Sequence, residues 1–481
     1  MIEEFDEYDR QLIPRWTTYS TNSMISSKDD DGSIPSLFTG SFEKAKADWI
    51  KNKSIGFAYD VVTFGKLSGR ENDKSYVECL KSLSKTQFYS FFVKEEMQDC
   101  TMLSVDKNVI YSLIHNNRLL LNATPNNALS WIDQAYYYSI IGQERNAEKC
   151  ISTALSLNNA NSYILRSAAS FYNYMQEPEK ALFVLRHSEF YDSDPRIIAA
   201  DISISNANGI KKKTKKRLSF DISPVSSELF AVYSTMESAS GNKKKAKKLM
   251  TEALYFPNEN IVAQKVSLEK QFGSFNLITP ENIPCEYEAK AKLLYYTRDY
   301  IQSEIESFNW FLFQPFSVEA ATFSSSLNLS FFKNYDRALS VLELANLINP
   351  GNPSIKNNLA YCYACTGDYL KAREQLDSVN YSALDSYTRY LLMATEGFLA
   401  YKTGDHNSGV SLYNDAIEGF SILSNQFCVS KATYILGTLV LDSNKEEGLK
   451  LINEAYSIAE KNRLDYLITI IKKDGLYCPI Q

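Results

Sequence analysis

The stretch NNLAYCYACTGDYLKAREQL, residues 357–376, decides the fold of this chain. Its small, aromatic and leucine residues recur three and four positions apart, which is the spacing of one face of an α-helix: Leu359, Ala360, Tyr363, Tyr369, Ala372 and Leu376. Gly367-Asp368 interrupts this pattern, as the end of one helix and the start of another would. Two helices this short bury little apolar surface alone. The stretch therefore predicts one unit of a larger stack.

The same pattern returns along the chain with a fixed period. Ala338 lies 34 residues before Ala372, and Ala147 lies 34 residues before Ala181. Trp131, which precedes Ala147, fits the same frame. Together these features resemble the tetratricopeptide repeat family, whose unit is a helix–turn–helix of about 34 residues with Trp, Leu-Gly, Tyr, Ala, Phe, Ala and Pro in order.

The resemblance covers about 128–460 and implies an all-α fold. Tetratricopeptide-type helix–turn–helix repeats would stack into a right-handed superhelical solenoid, in which each repeat buries the apolar face of its neighbour. Weaker copies continue the frame with small residues in the same slots: Ser234, Gly241, Ala246 and Ala253; Ala291 and Ser303; Gly397, Gly409 and Ala416; Gly448 and Ala455. Residues 195–220 and 272–284 break the period.

Composition and pattern divide the chain into five segments. Residues 41–127 fit two interpretations, degenerate helix pairs or a small helical domain, and we favour the first. The expected segments are an irregular polar N-terminal arm (1–40), that helical region (41–127), N-terminal repeats (128–270), C-terminal repeats (285–470) and a tail (471–481).

The bulk composition is that of a folded helical protein. Of 481 residues, 44% are hydrophobic and 22% charged, while only 18 are Gly and 13 Pro, which disfavours a turn-rich sandwich or barrel. The net charge of −6 offers no global attraction to nucleic acid. The N-terminus carries acids where a signal peptide needs cations, and no stretch reaches the roughly 18 apolar residues of a membrane span. We expect a cytoplasmic protein with reduced cysteines, and leave its oligomeric state open.

The sequence offers little for catalysis, so we predict no enzyme activity, no cofactor and no metal. The three histidines are scattered, and no phosphate-binding glycine loop or hydrolase motif occurs. Cys362 and Cys365 form a Cys-x-x-Cys, but a zinc site would need a second pair. Both cysteines fall inside a predicted helix, where they are interpreted as buried small residues.

Two basic runs are the strongest local charge signal. KKKTKKR (211–217) and KKKAKK (243–248) start 32 residues apart, close to one repeat, so both are expected on one outer surface. One interpretation is a solvated helix face, and the other is a docking patch for an acidic partner, or less often for nucleic acid or a phosphate headgroup. The patch would comprise Lys211, Lys212, Lys213, Lys215, Lys216, Arg217, Lys243, Lys244, Lys245, Lys247 and Lys248.

The resemblance also implies a partner-binding groove on the concave face, lined by the first helix of each repeat. The predicted groove residues are Tyr136, Tyr163, Arg166, Asn357, Tyr361, Phe398 and Tyr401. The Lys and Asn clamp of chaperone-binding relatives is not carried over. An aromatic, mixed-polar groove suits a peptide or helix of another protein. Alternatively, several of these aromatic residues only pack between repeats.

The predicted function is a protein–protein interaction scaffold or adaptor. The alternative is a signal-responsive regulator whose superhelix changes when it binds a peptide or ligand, and an enzyme ranks third.

Overall fold

A computed structural model of the chain describes residues 10–18, 39–84, 106–123, 125–159, 161–211, 220–275, 277 and 283–476. Within these residues all regular secondary structure is helical, as the repeat pattern predicts. The chain divides into two compact units. The N-terminal unit comprises Asp9–Ala289 with Leu312–Gln314, and the C-terminal unit comprises Lys290–Phe311 with Pro315–Gln481.

Twelve helices lie in the described part of the N-terminal unit before residue 280. They are α1 (Thr39–Lys51), α2 (Ile55–Leu67), α3 (Lys74–Leu83), α4 (Lys107–Ala123), α5 (Ala128–Ile140), α6 (Glu144–Leu157), α7 (Ser162–Tyr174), α8 (Pro178–Arg186), α9 (Pro195–Ala207), α10 (Ser227–Ala239), α11 (Lys243–Ala253) and α12 (Glu259–Phe272).

Asparagine residues fix where several of these helices begin. The side chain of Asn127 accepts from the first-turn amides of α5, and Asn161 does the same for α7. Asn258 caps α12 in the same way. A side-chain oxygen here satisfies amides that have no partner within the helix. The first helix of successive pairs therefore starts at a defined residue.

Eleven helices follow in the described residues beyond 283, and most lie in the C-terminal unit. They are α13 (Tyr287–Tyr296), α14 (Tyr300–Phe313), α15 (Val318–Ser326), α16 (Tyr335–Ile348), α17 (Pro353–Thr366), α18 (Tyr369–Asp377), α19 (Ser386–Lys402), α20 (His406–Ile422), α21 (Gln426–Val440), α22 (Lys445–Lys461) and α23 (Asp465–Lys473). A π-helical turn, Leu327–Phe332, continues α15.

The stretch 357–376 forms the pair α17–α18. Gly367 ends α17 with a φ of 86°, a left-handed conformation that glycine adopts without strain. The Asp368 side chain then caps α18 by accepting from the amide of Lys371. The predicted helix stop and restart are confirmed.

Small residues let the two helices of a pair approach closely. Ala360 and Ala372 are fully buried at the crossing of α17 and α18. In the next pair glycines take these slots, and a Cβ atom added to Gly409 would lie 2.9 Å from the carbonyl oxygen of Gly397. Serine hydroxyls bridge other crossings, as where Ser234 Oγ donates to the Ala246 carbonyl at 2.8 Å. The slots derived from the 34-residue period are thus helix contacts.

No helix among the described residues is both long and apolar enough to cross a membrane. The observed architecture is an all-α solenoid of stacked helix pairs, which confirms the predicted fold class.

Candidate functional site

The N-terminal unit holds a segment of the same chain against its helices. Residues 10–18, here called the N-terminal segment, have no regular secondary structure. Side chains at even positions are buried, and those at odd positions up to 15 are half-buried. Such alternation is what an extended chain produces against a surface. The surface, here called the N-terminal groove, is built from α5, α7, α9, α10, α12 and the first turn of α13.

Groove side chains hydrogen-bond to the main chain of the segment. Four of its carbonyl groups accept such bonds: Arg10 from Gln264 Nε2 at 2.8 Å, Ile13 from Asn260 Nδ2 at 3.2 Å, Pro14 from Ser170 Oγ at 2.8 Å and Thr17 from Tyr163 Oη at 2.9 Å. These bonds satisfy main-chain groups that burial would otherwise leave without partners. The donors lie on two helices, α7 and α12, so the bonds fix the segment to both of them.

Arg10 occupies a polar pocket at one end of the segment. Its Nε and Nη2 atoms donate to the two carboxylate oxygens of Glu288 at 2.7 and 3.0 Å. Nη1 donates to Gln264 Oε1 and Nη2 to Asn260 Oδ1, each at 2.7 Å. The side chains of Arg10 and Glu288 are only 6% and 4% exposed. A forked guanidinium matches this set of planar acceptors.

Arg15 supplies a second cation to the same region. It donates to Glu259 Oε2 at 3.2 Å and also to Glu288. Burial by itself would lower the pKa of Arg15, but the two carboxylates raise it above its ordinary value. Burial raises the pKa of Glu259, and the charges of Arg15 and Arg10 oppose that shift. Two arginines of the segment therefore balance two buried glutamates of the groove.

The apolar side chains of the segment are buried at separate places. Leu12 joins the hydrophobic core of the unit beside α9 and α10, where it is 3% exposed. Trp16 makes edge contacts with Tyr136 at 5.5 Å and with Phe171 at 5.6 Å between ring centroids. Edge-to-face aromatic pairs stabilise a contact beyond the area they bury. The groove thus has a polar pocket at one end and an aromatic pocket at the other.

The predicted groove residues of this unit lie on or beside the segment. Tyr136 packs on Trp16 and Tyr163 donates to the segment, as described above. Burial raises the pKa of Tyr136. Arg166 is half-buried and donates to Glu228 Oε2 of α10 at 2.6 Å, a bond that ties α7 to α10.

The predicted groove residues of the C-terminal unit pack between its repeats. Asn357 of α17 accepts from Thr395 Oγ1 of α19 at 2.7 Å, and the rings of Tyr361 and Phe398 lie 4.7 Å apart. Tyr401 hydrogen-bonds to Ser443 at 2.8 Å. The seven predicted residues therefore belong to two separate units, three in one and four in the other.

The second basic run opens α11, and its lysines are exposed. Lys245 pairs with Glu237 at 2.6 Å, and Lys243 Nζ donates to the Phe272 carbonyl at 2.7 Å. Lys211 is exposed and follows α9 outside any helix. The rest of the first run, Lys212, Lys213, Lys215, Lys216 and Arg217, lies outside the described residues, and so does the predicted merging of the two runs.

Cys362 is buried and Cys365 half-buried, both on α17 as predicted. Burial raises the pKa of Cys362 to about 12 and that of Cys365 to about 11, so both stay protonated thiols near neutral pH. Among the residues that the structure describes, no three His, Cys, Asp or Glu side chains are grouped to hold a metal ion.

The sequence predicts an irregular arm over residues 1–40 and indicates no binding role for it. The signal that points to the N-terminal segment is short: Leu12, Ile13 and Pro14 lie between Arg10 and Arg15, and Trp16 follows. On the groove side, Asn260, Gln264 and Glu288 look like ordinary helix-surface residues in the sequence. Their role depends on which face of the stack they occupy.

Comparison with known proteins agrees with the repeat pattern. Residues 332–395 match the model of the tetratricopeptide repeat family. This match includes residues 357–376, the stretch that first indicated the fold. The described part of the chain is an all-α repeat solenoid, and residues 332–395 are similar to tetratricopeptide repeats.

No curated protein matches the chain. Among solved structures, yeast Tom70 is 13% identical over 90% of this chain and 95% of its own, with a TM-score of 0.27. The APC/C hetero-tetramer Cut9–Hcn1 is 9% identical over 95% of each chain, with a TM-score of 0.34. The human IFIT1 dimer with PPP-AAAA is 12% identical over 96% and 97%, with a TM-score of 0.28. These TM-scores are too low for the likeness to bear on function.

Proposed function

We propose that this protein is an interaction scaffold whose N-terminal groove binds an extended segment of a partner protein. The observation that carries the proposal is the set of four hydrogen bonds from groove side chains to the carbonyls of the N-terminal segment. Bonds to main-chain groups hold any extended peptide, while the pockets between them select side chains. The groove therefore has the chemistry of a peptide receptor.

Repeat solenoids offer a large curved surface and need no fixed catalytic group to act. The proposal accordingly assigns the chain no reaction. The structure joins none of the six described cysteines in a disulfide, which supports a reducing compartment and the cytoplasm as the proposed location.

The test uses a capped, fluorescein-labelled peptide of residues 10–18, RQLIPRWTT. A double variant of the full chain, Leu12→Ala with Trp16→Ala, weakens the internal occupant and frees the groove. We expect fluorescence anisotropy to report saturable binding to this variant. Binding to the wild-type chain should be at least about tenfold weaker, because a tethered segment competes at high effective concentration.

A scrambled peptide of the same composition is the matched control and should not bind. Circular dichroism verifies that the variant stays helical, and a rise in its thermal midpoint on adding peptide is an independent measure of binding. If the double variant does not fold, Trp16→Ala alone takes its place. A folded variant that binds neither peptide would refute the proposal.

A further inference from the structure

The polar pocket of the N-terminal groove is built around two carboxylates. Glu259 and Glu288 are 6% and 4% exposed, and the segment brings Arg10 and Arg15 to them. A buried carboxylate is strongly destabilising when its cation is taken away. Any chain that replaces the segment must therefore bring positive charge to the same place.

The pocket also distinguishes arginine from lysine. Arg10 donates from Nε, Nη1 and Nη2 to four acceptor atoms on three residues. Lysine carries its donors on a single atom and cannot span a carboxylate and two amides in one plane. The acceptor set is thus fitted to a guanidinium group.

Gln264 and Asn260 each bind both the Arg10 side chain and a main-chain carbonyl group of the N-terminal segment. Gln264 accepts from Arg10 Nη1 and donates to the Arg10 carbonyl, both through its amide group. Asn260 accepts from Arg10 Nη2 and donates to the Ile13 carbonyl. Because each amide joins an arginine head group to a particular carbonyl, the groove fixes the register and the direction of the bound chain.

The second anchor follows six residues later. A fully extended chain advances about 3.3 Å per residue, so Trp16 lies at most roughly 20 Å along the groove from Arg10. The pocket formed by Tyr136 and Phe171 receives its ring, and Leu12 fills an apolar site between the two ends.

We infer that the groove is specific for a partner segment of the form Arg-x-apolar-x-Pro-Arg-Trp, and that residues 10–18 are the internal competitor which this segment displaces. The inference rests on the proposed function and names the partner that such a receptor takes. Binding a partner then releases the N-terminal segment from the groove, so the two events are coupled.

The experiment compares peptides on the full-length Leu12→Ala/Trp16→Ala variant. The parent peptide RQLIPRWTT is measured beside versions that carry Arg10→Lys, Trp16→Ala or Gln11→Ala. We expect Arg10→Lys and Trp16→Ala each to weaken binding by about 10- to 100-fold, because each leaves a buried pocket unfilled. Gln11→Ala is the control and should stay within about twofold, since the inferred motif sets no requirement at this half-buried position.

A variant of the groove tests whether Glu288 is the source of the preference for arginine over lysine. When the protein also carries Glu288→Gln, the loss of affinity caused by Arg10→Lys in the peptide should be about tenfold smaller, because the carboxylate that binds the guanidinium group is absent. Binding of the wild-type chain to excess parent peptide should also expose residues 10–18 to proteolysis.

The outcomes separate the two claims. If no peptide binds, the proposed function fails. If all four peptides bind equally well, the groove is a receptor without this selectivity, and the inference is overturned. Sedimentation that shows a wild-type dimer, dissociated by free RQLIPRWTT, would assign the groove to the segment of a second copy and overturn the inference as well.

Discussion

Replacing Lys431 with methionine should stabilise the protein, and the gain should depend on pH. Lys431 lies on α21 and is 3% exposed, and its Nζ donates to Ser330 Oγ at 3.1 Å. Within the described part of the chain it forms no ion pair. Burial lowers its pKa from the ordinary 10.5 to about 7, with a small opposing contribution from Cys428. Methionine has a similar length and no charge to bury.

The size of the effect follows from this shift. Between pH 7 and 10.5 the unfolded chain binds more protons at this site than the folded chain, so wild-type stability rises with pH there. Below pH 7 both states are charged, and the full cost of burying the ammonium is present. At about 1.4 kcal/mol per pKa unit that cost is about 5 kcal/mol at pH 6 and about 1 kcal/mol at pH 10. Losing the bond to Ser330 costs about 1 kcal/mol at either pH.

Lys431→Met should therefore gain about 4 kcal/mol at pH 6 and about none at pH 10. Thermal midpoints of both proteins measured at pH 6, 8 and 10 test this, and the gain corresponds to roughly 8–16 °C at pH 6. Lys450→Met is the matched control, because the Lys450 side chain is 72% exposed and its removal should matter little at any pH. An advantage of Lys431→Met that is equal at pH 6 and pH 10, or absent at both, would refute the reasoning.

Three further predictions concern packing and charge. Ala372→Leu should cost about 1–3 kcal/mol in urea unfolding, because Ala372 is fully buried where α17 and α18 cross; an unchanged midpoint would contradict the assigned contact. Gly409→Ala should also destabilise the protein by about 1–3 kcal/mol, because the added Cβ would lie 2.9 Å from the carbonyl oxygen of Gly397. Alanine normally stabilises a helix relative to glycine, so a more stable variant would show that the two helices can separate there. Lys244→Glu with Lys247→Glu, both exposed, should move the thermal midpoint little but weaken binding of polyglutamate at low salt; equal binding by both proteins would leave this face as a solvated surface.

The repeat fold could be predicted from the sequence because its determinants are local. Ala360 and Ala372 belong to one helix pair, and the glycine between the two helices adopts the one conformation that favours glycine. Each pair repeats these short-range requirements, so a 34-residue period carries the whole architecture. The same holds for Cys362 and Cys365, whose helical placement follows from the period alone.

The contacts of the N-terminal segment with the N-terminal groove could not be predicted in the same way. Its partners lie hundreds of residues away in the sequence, and Arg10 meets Gln264 and Glu288 only after the stack has formed. Arginine in a polar arm and glutamate on a helix are ordinary surface residues until the solenoid brings them together. The period predicts Tyr136 and Tyr163 on a binding surface, but it does not indicate what fills the groove.

The bond between Arg10 and Glu288 joins residues 278 positions apart, and this separation has a consequence for synthesis. At roughly 5–20 residues per second, a ribosome needs roughly 14–56 s to advance from the first of these residues to the second. For that interval Arg10 has no Glu288 to bind, whereas the pocket of Tyr136 and Phe171 that receives Trp16 is complete once α7 has been made. Glu288, the last carboxylate, completes the binding site only after helices α5 to α12 have been made. Residues 10–18 are therefore synthesised long before the site that holds them is complete, and they reach their final position late.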